Sequence, residues 1–332
     1  MPIFMIGIQR SGSNLLRLML NELPEIAAPH PPHILQRMMP LVPHYGDLNR
    51  KKAFSLLVDD VCRLVESNPV PWEGVVLDRG NVAARCRKRN LVAVFGAVYD
   101  VMAEAQGAKT WCCKSLANIC YLPQIKDYFT DAKYIYLYRD GRDVAVSFSK
   151  AVVGEKHFYH IAREWDEAQQ LALNFRKKVP AKRFFNLSYE DLTTETEKTV
   201  RALCGFLGVG YKPSMLEFYK SGEAKRAASA SNLWENVTNP VMKQNSRKFL
   251  KEAREEDIRV FESVAGSSMD SLGYERLFAK KSEELNFGPD DIRRFDMENK
   301  RLKDEIRKHV DPADLERRSR QESVIKEIAA RA

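Results

Sequence analysis

The sequence predicts an α/β protein, a parallel β-sheet flanked by helices, with a helical tail at its C-terminal end. Three observations carry that expectation. Short apolar runs of strand length alternate with longer stretches of helical period. The first run passes through a glycine-bearing loop directly into a helical pattern. Beyond residue 280 the chain becomes half charged, with 13 basic and 13 acidic residues over 281–332, which reads as a tail on a body spanning 1–280. At 332 residues, 44% of them hydrophobic, the chain can bury one large core with such an appendage.

Taken in order, strands are expected near 3–8, 75–78, 109–113, 133–138 and 183–187. The first leads into Ile6-Gly-Ile-Gln-Arg-Ser-Gly-Ser-Asn-Leu-Leu16, and Leu15 to Leu23 reads as the helix that follows. In such a turn the free N–H groups at the helix start converge on an anion. The nucleotide loop GxxxxGK[ST] has the same glycine spacing, here Gly7 and Gly12. Ser13, however, stands at its lysine position and Asn14 at its magnesium-ligand position, while Arg10 supplies the cation. That suggests a grip on a nucleotide whose transferable group is not a γ-phosphate. The stretch from Pro29 to Tyr45, with Pro29-His-Pro-Pro-His33, is expected to be a loop because prolines break regular structure.

The strand Lys133 to Tyr138 ends in Arg139-Asp-Gly-Arg-Asp-Val-Ala-Val-Ser147. This puts Arg139 at the sheet edge where open parallel sheets bind ligands, and Ser147 on the next helix. An arginine and a hydroxyl so placed can hold a compact phosphate. Alternatively, Arg139, Asp140, Arg142 and Asp143 form surface ion pairs and a helix cap. The tail starts a helix at Gly288-Pro-Asp-Asp291 and carries Phe295, Leu302, Ile306 and Val310 at near-heptad spacing. It is therefore either a short coiled coil, able to join two copies of the chain, or a helix packed on the body.

The two phosphate-binding candidates together resemble the sulfotransferases that use 3′-phosphoadenosine 5′-phosphosulfate, over roughly residues 1 to 278. The resemblance implies a P-loop-NTPase-like fold in which Arg10, Ser11, Gly12, Ser13 and Asn14 hold the 5′-phosphosulfate, and Arg139 and Ser147 the 3′-phosphate. It places Lys114 where the family has a lysine on the transferring group. Tyr189-Glu-Asp-Leu192 is similar to the turn that packs near the adenine. Trp234-Glu-Asn-Val-Thr-Asn-Pro-Val241, with Lys248-Phe-Leu250, looks like the late loop that closes over the nucleotide, with Ser231 near the bridging region. Leu272-Gly-Tyr274 matches the end of the catalytic domain. In bacterial-type and protein-sulfating relatives a glutamate follows the first helix; counting from Arg10, that position is Pro31 here. The general base then falls to a neighbouring imidazole, His30 or His33.

The implied reaction moves a sulfuryl group to the hydroxyl of a carbohydrate or small metabolite and releases adenosine 3′,5′-bisphosphate, with no metal. Two other readings share the fold: a noncatalytic nucleotide-binding or scaffold protein, and a kinase, against which the missing loop lysine speaks.

Charge and composition bound the partners. The tail has no net charge, so the whole +8 belongs to the body, which suits a polyanionic small ligand and an acidic acceptor. No aromatic-rich single-strand platform is present, which argues against a nucleic-acid function. The six cysteines, at 62, 86, 112, 113, 120 and 204, show no metal-ligand spacing and no disulfide framework, which fits a reducing compartment. No apolar run approaches membrane-spanning length and the first is too short for a signal peptide, so a soluble cytoplasmic protein is expected. The cluster Arg79, Arg85, Arg87, Lys88 and Arg89 is either a contact for an anionic acceptor or a solvated helix face. Trp111 is core or a surface under the adenine, Trp165 is packing, and His157 and His160 either line the acceptor pocket or are ordinary half-buried histidines.

Overall fold

The computed structural model describes residues 1–331, apart from the side chains at 232 and 233. Strands β1 (Ile3–Gly7), β2 (Ile26–Ala27), β3 (Thr110–Cys113), β4 (Lys133–Tyr138) and β5 (Phe184–Ser188) form one sheet in the order β2-β3-β1-β4-β5. Every pairing is parallel, and β1 runs beside β4 with Gly7 opposite Leu137. Among the helices that flank the sheet or shape its upper edge are α1 (Ser13–Asn21), α2 (Ile34–Met38), α3 (Lys51–Glu66), α4 (Leu91–Ala105), α5 (Gly141–Lys150), α6 (Phe158–Arg176) and α7 (Glu255–Ser271). The tail forms α8 (Pro289–Arg307) and α9 (Pro312–Ala329).

Alternation along the strands divides the core into two layers. Phe4 and Ile6 of β1, with Tyr134 and Tyr136 of β4, join the core that α3, α4 and α6 cover. Ile3 and Met5, with Ile135 and Leu137, face Leu16 and Leu20 of α1 on the other side. Trp111 belongs to the first layer: its ring meets Phe4 edge-on at 5.4 Å and its Nε1 donates to Asp100 at 2.7 Å, so it is core and not a nucleotide platform.

Three sequence expectations need correction. Residues 75–78 form no strand: Val76 is 82% exposed and Asp78 caps the short helix Arg79–Arg85 through the N–H of Asn81. The missing edge strand is β2, only two residues long, which pairs with Thr110 and Trp111. The stretch from Pro29 to Tyr45 is not all loop, because α2 and a 3₁₀ segment, Met39–Tyr45, fill most of it. Pro40 stands in the first turn of that segment, where no N–H donor is lost.

The tail packs on the body. Val324 and Ile328 of α9 join the first core layer, Gln321 donates to the Leu64 carbonyl at 3.0 Å, and Arg331 bonds the fully buried Asp60 at 2.5 and 3.1 Å. On α8, Phe295 stacks on His157 at 4.5 Å, and the Asn299 carbonyl oxygen accepts from the N–H groups of Lys156 and His157. Leu302, Ile306 and Val310 are half-buried, so the seam read as a possible coiled coil is turned toward this chain's own body. The arginines of the basic cluster have partners within the chain as well, while Lys88 is exposed. Arg79 pairs with Asp59 and Glu66, Arg85 with Glu104, Arg89 donates to the Asn49 carbonyl, and Arg87 lies over the Tyr128 ring.

Candidate functional site

A cleft of about 1120 Å³ opens at the carboxyl ends of β1 and β4. Its floor is the loop between β1 and α1. Gly7 (φ +139°) and Gly12 (φ +86°) make that loop possible: a Cβ on Gly7 would run into the Leu137 carbonyl, and one on Gly12 would stand 2.5 Å from the Tyr189 ring. No side chain caps the start of α1, and the buried Ser11 hydroxyl has no hydrogen-bond partner. The N–H groups of the first turn are thus left for a ligand.

Arg10 and Arg139 converge over this loop. Arg10 Nε donates to Ser147 Oγ at 2.9 Å, so the two expected phosphate sites adjoin. Arg139, 5% exposed, lies 4.3 Å over the Tyr189 ring and donates to the carbonyls of Arg10 (3.0 Å) and Asn245 (2.5 Å), while its Nε is buried without a partner. Trp165 is packing, as expected, and its Nε1 donates to the Arg139 carbonyl. Tyr189 lies against the loop and accepts from Asn245 at 2.6 Å. The ion pairs and helix cap read as the alternative do form, but buried: Asp140 caps α5, Arg142 binds Asp140 and Glu262, and Arg139 lies 3.6 Å from Asp143. Asp143 anchors the late loop by accepting from the N–H groups of Arg247 and Phe249. That leaves the exposed Lys248 between them on the cleft wall.

The other half of the cleft holds Lys114, His30 and His33. Lys114 is buried at the end of β3 and donates to Asn14 Oδ1 at 2.9 Å. Burial, followed by the field of Arg17, lowers its pKa to about 7. The His30 carbonyl is pinned by Asn68 (3.1 Å) and Trp72 (2.8 Å), whereas its ring, 3% exposed, lies 4.5 Å from Trp234 with neither nitrogen bonded. His33 Nδ1 meets Ser115 Oγ at 2.9 Å. Burial and then Lys114 push both imidazoles down, His33 to about 3, so both are neutral. Ser231 lies in the wall and donates to Asp314 of α9 at 2.9 Å. His157 and His160 are absent from the lining; His160 pairs with Asp296 and His157 packs on Phe295.

Sequence reasoning missed several parts of this site. Arg17 is fully buried on α1, donating to Glu223 (2.7 Å) and to the carbonyl of Ala28 (3.0 Å), which fixes the chain entering His30. A charge inside the apolar run Leu15 to Leu23 was the available signal. The cleft wall from the tail, including Val310, Asp314, Arg318 and Gln321, left no local signal. Nor did backbone strain: among the described residues the non-glycine positions with positive φ are Arg10, His33 and Arg247, two lining the cleft and the third beside Lys248.

A glycine-shaped loop without lysine, beside a strand-end arginine on a five-stranded parallel sheet, defines an α/β protein with a P-loop-like fold. The chain belongs to the Sulfotransferase family, whose sequence profile matches residues 2–213. It is 22% identical over 303 residues to protein-tyrosine sulfotransferase A of Caenorhabditis elegans, covering 86% of this chain and 73% of that one. Among solved structures, the sulfotransferase domain from the curacin biosynthetic pathway superposes with a TM-score of 0.55 at 21% identity, over 83% of this chain and 98% of that one. The sulfotransferase domain of the Synechococcus PCC 7002 olefin synthase gives 0.54 at 19%, over 83% and 95%. These likenesses show the fold. Among the described residues no helix is long and apolar enough to cross a membrane.

Proposed function

We propose that this sulfotransferase takes its sulfuryl group from 3′-phosphoadenosine 5′-phosphosulfate and passes it to the hydroxyl of a carbohydrate or small metabolite. One observation carries the reading: Arg139 Nε and both His30 nitrogens are buried and unpartnered in residues that line a single cationic cleft, and Ser11 Oγ is likewise unpartnered in the loop beneath it. Buried polar atoms without partners cost free energy, and a polyanionic ligand relieves that cost. The donor supplies an activated sulfuryl group and a phosphate leaving group. The α1 N–H groups with Arg10 and Lys114 serve the sulfuryl end. Arg139, Ser147 and Lys248 serve the remaining phosphate, and Tyr189 supports the loop beneath. Negative charge beside Lys114 favours its ammonium form and restores its strength as a donor.

For the general base the geometry favours His33. Donation of Nδ1–H to Ser115 leaves Nε2 free to accept the acceptor's proton. Anions in the cleft offset Lys114 and raise the imidazole from its low starting value. The six unpaired cysteines support a cytoplasmic setting. A tyrosine hydroxyl on a peptide is the second reading of the acceptor, favoured by the relative named as a protein-tyrosine sulfotransferase, which is matched over most of this chain.

The test is thermal unfolding with adenosine 3′,5′-bisphosphate, against ATP with magnesium and 5′-AMP. A ligand that binds only the folded state raises the melting temperature. Stabilisation by the bisphosphate alone is expected; a shift only with ATP and magnesium would sink the reading. In turnover assays with 4-nitrophenol, simple glycosides and a tyrosine peptide, His33→Gln should lose activity by about 10²–10⁴-fold. Retained turnover in that variant with loss in His30→Gln would move the role to His30.

A further inference from the structure

Past the two histidines, the cleft continues between α2 and α9. Mutual charge effects run in series along it: Arg139 acts on Arg10, Arg10 on Lys114, and Lys114 on His30 and His33. The series ends at Arg37 and Arg318, which both act on His33, and Arg318 acts on Arg37 as well. These two guanidinium groups differ in what holds them. Arg318 donates to Asp314 at 2.9 Å and to Ser231 at 3.1 Å, and stands 5.9 Å over the Trp234 ring. Arg37 is half-buried, yet among the described residues no hydrogen bond or ion pair holds it. Glu322 attracts it only through space. Of the acidic groups lining this part of the cleft, Asp314 is engaged by Arg318 and Ser231, and Asp311 by the N–H of Ala313 at the start of α9, while Glu322 is exposed.

We propose that Arg37, with the cleft-facing side of Arg318, is an anion subsite for the acceptor, so that the acceptor is a hydroxyl compound carrying a carboxylate or a similar fixed negative charge. The proposal rests on the sulfuryl-transfer reading above and adds the chemical class of the substrate. A guanidinium keeps its charge at any working pH, and leaving it partly desolvated without a directly bonded counter-ion is unfavourable. A carboxylate accepting two parallel N–H bonds removes that penalty. Arg37 follows His33 by one helical turn of α2, a rise of about 6 Å. Arg318 lies outside residues 2–213 matched by the family profile, so half of the subsite is supplied by this chain's own tail.

The experiment uses the full chain and charge-matched acceptors: 4-hydroxyphenylacetate, its amide and tyramine, and in parallel phenyl glucuronide and phenyl glucoside. Sulfuryl transfer and bisphosphate affinity are measured for the natural chain, Arg37→Gln and Arg37→Lys. The anionic member of each set should exceed its neutral partner at least tenfold in kcat/KM. Arg37→Gln should bring that ratio near one, Arg37→Lys should keep most of it, and bisphosphate affinity should stay within twofold throughout. Equal use of charged and neutral acceptors, or a preference that survives in Arg37→Gln, would overturn the subsite. Turnover of none of them, with the bisphosphate bound, would overturn it too while leaving the donor site standing. Failure to bind the bisphosphate would instead remove the sulfuryl-transfer reading.

Discussion

Lys114 shows how a single residue couples the site to pH. Its ammonium is buried beside Arg17 and Arg10, with Asn14 as its direct partner among the described residues, and its pKa falls to about 7. A bound bisphosphate favours the ammonium, so binding raises this pKa and takes up a proton above pH 7. The sign follows: affinity is full below pH 7 and declines as pH rises, by up to about tenfold per unit, until the raised pKa is passed. Calorimetric titrations at pH 6.5, 7.5 and 8.5 should show this decline in the natural chain, with buffer-dependent proton uptake, and lose it in Lys114→Met. The same slope in both would show that Lys114 does not touch the ligand. At this scale the motif residues were legible because their spacing is local: Arg10 to Asn14 in one loop, Arg139 to Ser147 in one turn. Their mutual contacts were not, since Arg10 with Ser147 and Lys114 with Asn14 join segments 137 and 100 positions apart.

Among elements, the β1–α1 loop is the most constrained, and its two glycines fail in different ways. Gly7 approaches the backbone of β4, which cannot yield, so Gly7→Ala should cost stability, at least about 2 kcal/mol. Gly12 approaches only the Tyr189 ring, which can turn aside, though the positive φ still strains an alanine there. Gly12→Ala should therefore fold but lose bisphosphate affinity at least tenfold, because the displaced Tyr189 also carries Arg139. Denaturant titration and calorimetry on the two variants check this, and equal effects on folding and binding in both would refute the distinction. Sequence pattern found the strands of four residues or more, since burial on both faces leaves continuous apolar runs. It missed β2, whose two residues carry no period, and took the short apolar run at Val75 to Asp78 for a strand. In the proline-rich stretch Pro29, Pro31 and Pro32 do lie in a loop, but Pro40 falls in the first turn of the 3₁₀ segment, where proline is tolerated, and Pro43 within it.

At the scale of the whole molecule, the tail decides what the protein is. Its composition, half charged and neutral overall, reads as a detachable appendage, and only a few apolar residues say otherwise. Those few are placed to matter: Ile328, 1% exposed, and Val324 enter the core layer beneath α3, while Arg331 joins Tyr45 and Arg63 around the buried Asp60. Between them, Asp314 and Arg318 hold Ser231 and Trp234 against His30. An appendage would unfold apart from the body, leaving the main transition unchanged when its anchor is cut. A tail that completes the core should instead unfold with it, so Ile328→Ala should lower the stability of the whole chain by about 2–4 kcal/mol in a single transition. Far-UV circular dichroism and tryptophan fluorescence should follow the same shifted denaturation curve. An early, separate loss of helix with the fluorescence midpoint unmoved would mean that the tail only rests on the cleft it borders.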